Sequence, residues 1–278
     1  MKVCVVGLGL IGGSICKALK KYTNHTVLVL NRSESKVTLA IEDKSADAKA
    51  DLENDDIDVI WLCTYKSAIE KFIKDNAEKL KKGTIIADVC GLKGNMTKEL
   101  TEIANSYGLR YVGTHPMAGK EVNGYAYSEA DLFKGCNFIL TPTDSTDKEA
   151  LEIIEKMAID IGCRNVVYCD PEKHDEMIAF TSHMPHIAAN SLVNNELTEF
   201  AGNFAGGAFR DVTRVSRMDR EMWSELFLEN REFLLKQLYI YRDNINRYIK
   251  TIEDDDYDAL SNLIQEGTCK KEKQLGKQ

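Results

Sequence analysis

Short apolar runs separated by helical stretches dominate the first 170 residues. "KVCVV" (2–6), "TVLVL" (26–30), "DVIWLC" (58–63), "TIIAD" (84–88), "YVGT" (111–114), "NFILT" (137–141) and "NVVYC" (165–169) read as strands. Several are apolar throughout, the pattern of parallel strands covered on both faces. Helical stretches such as 66–81, 95–107 and 147–161 fill the gaps, so residues 1–170 predict a Rossmann-type, doubly wound α/β domain. After "DPEKHD" (170–175) no comparable strand run appears, and residues 171–268 predict an all-helical second domain. Its longest helix is predicted from an N-cap at Asp219 to about Ile252. Trp223, Leu226, Leu234, Leu238, Tyr241, Ile245 and Ile249 recur there at spacings of three, four or eight. Phe227, Phe233, Ile240 and Tyr248 widen that stripe beyond one face, which predicts more than one neighbour and hence an intersubunit bundle. The last ten residues, 269–278 ("CKKEKQLGKQ"), are polar and basic and predict a frayed tail.

Composition narrows the class. An apolar share of 44%, a charged share of 29% and a net charge of −8 describe an ordinary globular chain without an extended nucleic-acid footprint. No apolar run approaches membrane length, so a cytoplasmic protein is expected. None of the eight cysteines forms a CxxC pair, and metal-ligand spacing is absent. Reduced, mostly buried thiols and no metal are the expectation.

The first strand runs straight into "GLGLIGGS" (7–14), which supplies Gly7, Gly9 and Gly12 in a G-x-G-x-x-G pattern that opens a helix. Strand before and helix after are the context that makes this pattern a dinucleotide site. Gly7 permits the tight turn, Gly9 the approach of a pyrophosphate and Gly12 the helix–strand contact. At the end of the second strand an acid ordinarily holds the ribose diol. Here the residues are Asn31, Arg32 and Ser33. Nothing there repels a 2′-phosphate, and Arg32 either pairs with one or stacks on adenine, so NAD and NADP both stay open. The expected cofactor set also takes in Leu10 and Ile11 in the loop, Thr64 after the third strand and Lys93 in "DVCGLKG" (88–94).

Titratable residues cluster in three places. "THPMAGKE" (114–121) sets His115 just after a strand, either as a strand-end cap or as a catalyst. "TSHMPHIAA" (181–189) sets His183 and His186 on neighbouring positions of one helical face. No third ligand supports a metal there. "GGAFRDVTRVSRMDREMW" (206–223) is rich in arginine. Arg210 and Arg214, four apart, suit one face aimed at an anion, since guanidinium recognises carboxylates bidentately.

Together with "DVCGLKG" and "HDEMIAFTSHMPHIAA" (174–189), these motifs resemble the prephenate/arogenate dehydrogenase family of tyrosine biosynthesis over roughly residues 2–250. The resemblance implies a Rossmann domain followed by a helical dimerisation domain, hence a homodimer. It also implies NAD(P)-dependent oxidative decarboxylation of prephenate to 4-hydroxyphenylpyruvate, or of arogenate to tyrosine. It makes His115 the histidine that accepts the ring-hydroxyl proton, Glu121 an acid that gates the pocket, and Arg214 the holder of a substrate carboxylate. His186 and Ser182 match polar residues of the second-domain motif, with Arg210 and His183 beside them as further substrate contacts. One departure stands out: Gly91 occupies the place where many members carry a serine that reaches the ring hydroxyl. Neither a mutase domain nor a C-terminal ACT domain is expected, so control through such a domain is not expected either.

Overall fold

The computed structural model of the chain describes residues 1–276. Its centre is a six-stranded sheet of β1 (Lys2–Val6), β2 (Thr26–Leu30), β3 (Ala48–Lys49), β4 (Val59–Leu62), β5 (Ile85–Asp88) and β6 (Arg110–Val112). The strands lie in the order β3-β2-β1-β4-β5-β6 and every pairing is parallel. The right-handed crossovers of such a sheet place helices on both faces. These are α1 (Leu10–Tyr22), α2 (Glu34–Glu42), α3 (Lys66–Asn76) and α4 (Gly94–Ser106). Alternation along the strands feeds two cores. Val3, Val5 and Trp61 pack with Ile15 and Leu19 of α1 on one side, and Cys4, Ile60 and Ile86 with Ile69, Ile73 and Leu100 on the other. Each such aliphatic side chain contributes roughly 1.5–3 kcal/mol when fully buried. β3, two exposed residues long, has no apolar run by which to announce itself.

The predicted strand 111–114 is two strands. β6 ends at Val112, and β7 (Thr114–Pro116) leaves the first sheet to join β8 (Asn137–Leu140) and β9 (Asn165–Tyr168) in a second one. β7 runs antiparallel to β8, with His115 opposite Ile139. The handover falls at Gly113, where a Cβ would press on the hydroxyls of Thr97 and Thr141, so no larger residue fits the crossing unchanged. α5 (Lys148–Asp160) carries the chain from β8 to the parallel β9.

The second domain is helical: α6 (Pro171–Ile178), α7 (Met184–Val193), α8 (Gly207–Thr213), α9 (Arg220–Glu229), α10 (Arg231–Glu253) and α11 (Tyr257–Leu275). α6 starts where Asp170 accepts the N–H groups of Glu172 and Lys173, with Pro171 in the first turn. A five-residue π-helical turn, Ala179–His183, joins α6 to α7. The single helix predicted over 219–252 is broken. Asp219 does cap its start, accepting the Met222 N–H at 3.0 Å, but α9 ends at Glu229 and α10 begins at Arg231, with Asn230 between them. The physical reason is the buried Asn230 side chain, whose amide donates to the Asp175 carbonyl at 2.9 Å and to His183 Nδ1 at 3.4 Å. Only Leu234 is buried on α10, while Leu235, Ile240, Ile245, Ile249 and Ile252 are exposed. The tail expected to fray is helical as far as Leu275: α11 is capped by Asp256 and continues through "CKKEKQL". Residues 277–278 lie outside the described residues. No helix among the described residues is long and apolar enough to cross a membrane.

Candidate active site

The glycine loop lies at the carboxyl end of β1, beside the carboxyl end of β4, where the strand order reverses. That switch point is where open α/β sheets bind ligands. Gly7 adopts φ +99°, and a Cβ on it would collide with the Cys63 carbonyl. A Cβ on Gly12 would collide with the Gly7 carbonyl, whereas one on Gly9 would meet nothing within 4 Å. Two glycines are therefore demanded by packing, and the third leaves open space at the α1 N-terminus. Gly9 is the residue preceding α1, and no side chain caps that end, so the amides of Leu10 and Ile11 begin a helix whose free N–H groups suit a phosphate. Thr64 follows β4 at the same switch point.

Asn31 sits where an acid would hold a ribose diol. Its Oδ1 accepts the Leu8 N–H at 2.9 Å and its amide donates to the Ser33 carbonyl at 3.2 Å, so the side chain ties the end of β2 to the loop. Arg32 is exposed and has no hydrogen-bond or ion-pair partner among the described residues. Ser33 precedes α2, its hydroxyl 2.8 Å from that of Ser35.

Lys93, expected on the cofactor, is in the core. Its ammonium pairs with Asp88, and both side chains are 0% exposed, which leaves Lys93 no surface for a cofactor. Asp88, at the end of β5, also accepts Tyr111 Oη at 2.8 Å, Cys90 N at 2.8 Å and Thr114 N at 3.1 Å. A carboxylate with four donors is fully satisfied, and it anchors the first residue of β7.

The next residue, His115, begins a chain of three groups. His115 Nδ1 lies 2.9 Å from His174 Nε2, and His174 Nδ1 lies 2.7 Å from Asp175 Oδ1. Asp175 in turn accepts the N–H groups of Lys93 at 2.9 Å and Gly94 at 2.8 Å, at the start of α4. The tautomers follow. A carboxylate only accepts, so His174 carries its proton on Nδ1 and offers a lone pair at Nε2. His115 must then donate from Nδ1, which leaves its Nε2 a free lone pair. Burial, with the nearby His174, Lys93 and His183, holds the His115 imidazole well below its ordinary pKa. His115 is thus a neutral base with one acceptor atom uncommitted.

The helical domain contributes aromatic walls. His183 is 2% exposed, edge-on to Trp223 and Phe227, and burial lowers its pKa from 6.5 to about 4. Expected as a substrate contact, it is instead a packed core histidine held by Asn230. His186, one turn on, lies against Trp223 with ring centroids 4.0 Å apart. Its Nδ1 donates to the Ser182 carbonyl at 2.8 Å, so Nε2 is the atom left for a ligand. Ser182 is partly exposed. Arg214 pairs with Glu121, bridging the loop after β7 to the helical domain, with the arginine side chain 66% exposed. Arg210, expected on the same anion-facing surface, turns back onto its own chain at the Gly206 and Ala205 carbonyls, both at 3.4 Å. Lys120 pairs with Glu129 at 2.9 Å. A Cβ on Gly91 would meet only Leu226, at 3.7 Å.

The structure thus brings His115, His174 and Asp175 into one chain, places His186 on Trp223, and joins Glu121 to Arg214. His174, Asp175 and Trp223 are the residues the sequence reading did not assign to the site. "HD" at 174–175, one of them capping a distant helix, carries no local signal of its partner 59 residues away. Among the described residues no cluster of three or more His, Cys, Asp or Glu could hold a metal.

A glycine-loop Rossmann domain joined to a helical domain, with a neutral histidine at the interface, defines a two-domain dehydrogenase. Residues 15–167 match the nucleotide-binding domain of prephenate dehydrogenase, and residues 170–266 match its dimerization domain. The chain belongs to the prephenate dehydrogenase family of oxidoreductases. It is 29% identical to the prephenate dehydrogenase of Bacillus subtilis over 268 residues, covering 93% of this chain and 72% of that protein. Prephenate dehydrogenase from Aquifex aeolicus, solved with hydroxyphenyl propionate and NAD+, is similar at 28% identity and TM-score 0.87, covering 98% of each chain. Synechocystis arogenate dehydrogenase is similar at 28% identity and TM-score 0.80, covering 98% of this chain and 99% of that one.

Proposed function

We propose that this protein catalyses the NAD(P)-dependent oxidative decarboxylation of prephenate to 4-hydroxyphenylpyruvate. The observation that carries the reading is the Asp175–His174–His115 chain, which presents a neutral Nε2 as a proton acceptor. A nicotinamide held by the glycine loop would supply the hydride acceptor. The residues of this chain do the rest. His115 Nε2 takes the ring-hydroxyl proton, and the resulting imidazolium keeps its Nδ1–H on His174, backed by the Asp175 carboxylate. As the ring carbon becomes a carbonyl, the ring carboxylate leaves as CO2 and its electron pair completes the aromatic ring. A positioned base contributes ~10²–10⁴-fold to such a step.

Arg214 suits the side-chain carboxylate, for which it would exchange its exposed pairing with Glu121, and His186 Nε2 suits a second oxygen. Gly91 withholds the hydroxyl that a serine would supply, and Leu226 lies over the gap. The exposed Arg32 and the absence of an acid at Asn31 support use of NADP as well as NAD. The apolar residues left exposed on α10 support a homodimer through the helical domain. The similarity to an arogenate dehydrogenase favours one second reading, in which arogenate is the substrate and tyrosine the product. A steady-state matrix of prephenate and arogenate, each with NAD and NADP, tests the reaction, the substrate and the cofactor. Turnover is expected with prephenate; none in any combination overturns the enzymatic reading.

A further inference from the structure

We propose that Cys136 and Cys163 form a reversible redox pair, which a hydroperoxide converts to an intramolecular disulfide that locks the β8–α5–β9 crossover. The two thiols lie Sγ to Sγ 3.5 Å apart, although 27 residues separate them in sequence. Closing to a disulfide bond of about 2.05 Å needs the sulfurs to approach by roughly 1.5 Å, within reach of small side-chain rotations.

The backbone already holds both residues in place. The Gly135 N–H donates to the Gly162 carbonyl at 3.0 Å, and the Arg164 N–H donates to the Cys136 carbonyl at 2.8 Å. Each cysteine follows a glycine at positive φ, +75° at Gly135 and +105° at Gly162, and these turns deliver the two sulfurs to the same edge.

The pair divides the labour of a peroxide reaction. Cys136 is partly exposed, whereas Cys163 is buried at 5% exposure. The Cys163 contact holds the Cys136 thiol below its ordinary pKa, and the same contact with burial pushes Cys163 up. The core thiols Cys4 and Cys16, by contrast, are pushed up by burial. The Cys136 thiolate attacks the outer peroxide oxygen, the O–O bond breaks, and Cys136 becomes a sulfenic acid as the alkoxide leaves and is protonated. The Cys163 thiol then loses its proton and attacks the Cys136 sulfur, expelling hydroxide. The balance is two thiols and one hydroperoxide to one disulfide, one alcohol and one water.

Trypsin isolates each partner on its own peptide, residues 135–148 and 157–164, each with one cysteine. The full chain treated with near-stoichiometric hydrogen peroxide should yield these two peptides joined, lighter by two hydrogens than their sum, and dithiothreitol should separate them. Cys163→Ser should yield no joined peptide and leave Cys136 at its sulfenic acid, which a second equivalent of peroxide takes to the sulfinic acid. Oxidised wild type should melt about 5 °C or more above the reduced form, and Cys136→Ser should show no such rise. Cys136 going to sulfinic acid in the wild type without the joined peptide, or a disulfide from Cys136 to another cysteine, overturns the pairing. A joined peptide with an unchanged melting temperature overturns the lock.

Discussion

Asp175→Asn is the sharpest perturbation of the proposed chemistry, because it changes one atom of the relay. Asp175 Oδ1 accepts from both His174 Nδ1 and the Lys93 N–H, and Oδ2 accepts the Gly94 N–H. An asparagine cannot satisfy all three. With its carbonyl toward His174, its NH2 faces the Gly94 N–H, donor against donor, at a cost of about 1–3 kcal/mol. With its NH2 toward His174, it faces the Lys93 N–H at a like cost, and that ring must accept at Nδ1 and donate from Nε2. His115 must then accept at Nδ1 and carry its proton on Nε2, so the base atom is lost. The second arrangement removes general-base catalysis and the first removes the carboxylate charge that backs the imidazolium, so kcat with prephenate should fall by ~10²–10⁴. The apparent KM should change little. Initial rates of nicotinamide reduction across pH, with thermal melts as a folding control, measure both. Adding His174→Phe to the variant should cost little more, since residues acting as one unit are not additive. A kcat within about threefold of the parent, with an unchanged pH profile, would refute the tautomer argument.

Other expectations are equally direct. Arg214→Ala should raise the apparent KM for prephenate about tenfold or more while kcat changes less, since a charge-assisted hydrogen bond is worth roughly 1.5–3 kcal/mol; an unchanged KM removes Arg214 as the carboxylate anchor. Gly12→Ala should abolish dinucleotide binding by titration calorimetry, because the new Cβ strikes the Gly7 carbonyl; retained affinity contradicts the loop geometry. His183 has a pKa of about 4 when folded against 6.5 ordinarily, so the unfolded chain binds the proton first. Stability should hold above pH 6.5 and fall as the pH drops toward about 4, by about 3 kcal/mol at most. Melts of His183→Phe should show a shallower decline over that window, and an equal one assigns the effect elsewhere. Gly91→Ser should fold, since its Cβ would meet only Leu226 at 3.7 Å, and should lower the KM or raise kcat; a melting temperature well below the parent's would show the space to be closed.

Apart from β3, the sheet was legible because its strands are short apolar runs, and Gly7 and Gly12 sit at forced positions. What escaped the sequence had a common cause: it depends on partners distant in the chain. The break at Asn230 is invisible to periodicity, since the apolar spacing continues across it and only the buried bonds to Asp175 and His183 explain it. Lys93 looked available because nothing local shows Asp88 waiting five residues away on a strand end. Arg210 and Arg214 share one spacing, yet one folds back on its own helix and the other reaches Glu121. The sequence points to the histidine at 115, but its tautomer is written 59 residues downstream. The segment expected to fray is helical as far as Leu275 because charge along α11 is solvated helix, with Lys270 bridging Glu266 at 2.6 Å.

The π-helical turn at Ala179–His183 has a consequence for length rather than chemistry. It holds one residue more than an α-helical path would need, and such turns are less stable than plain helix. Deleting a residue such as Thr181 would therefore relax the backbone locally. It would leave everything beyond, His186 included, facing nearly as before relative to His174 on α6, because the α-helical path makes the same turn with one residue fewer. The segment is therefore expected to absorb a single deletion within the turn, whereas a deletion in α7 ahead of His186 would swing that ring by about 100°.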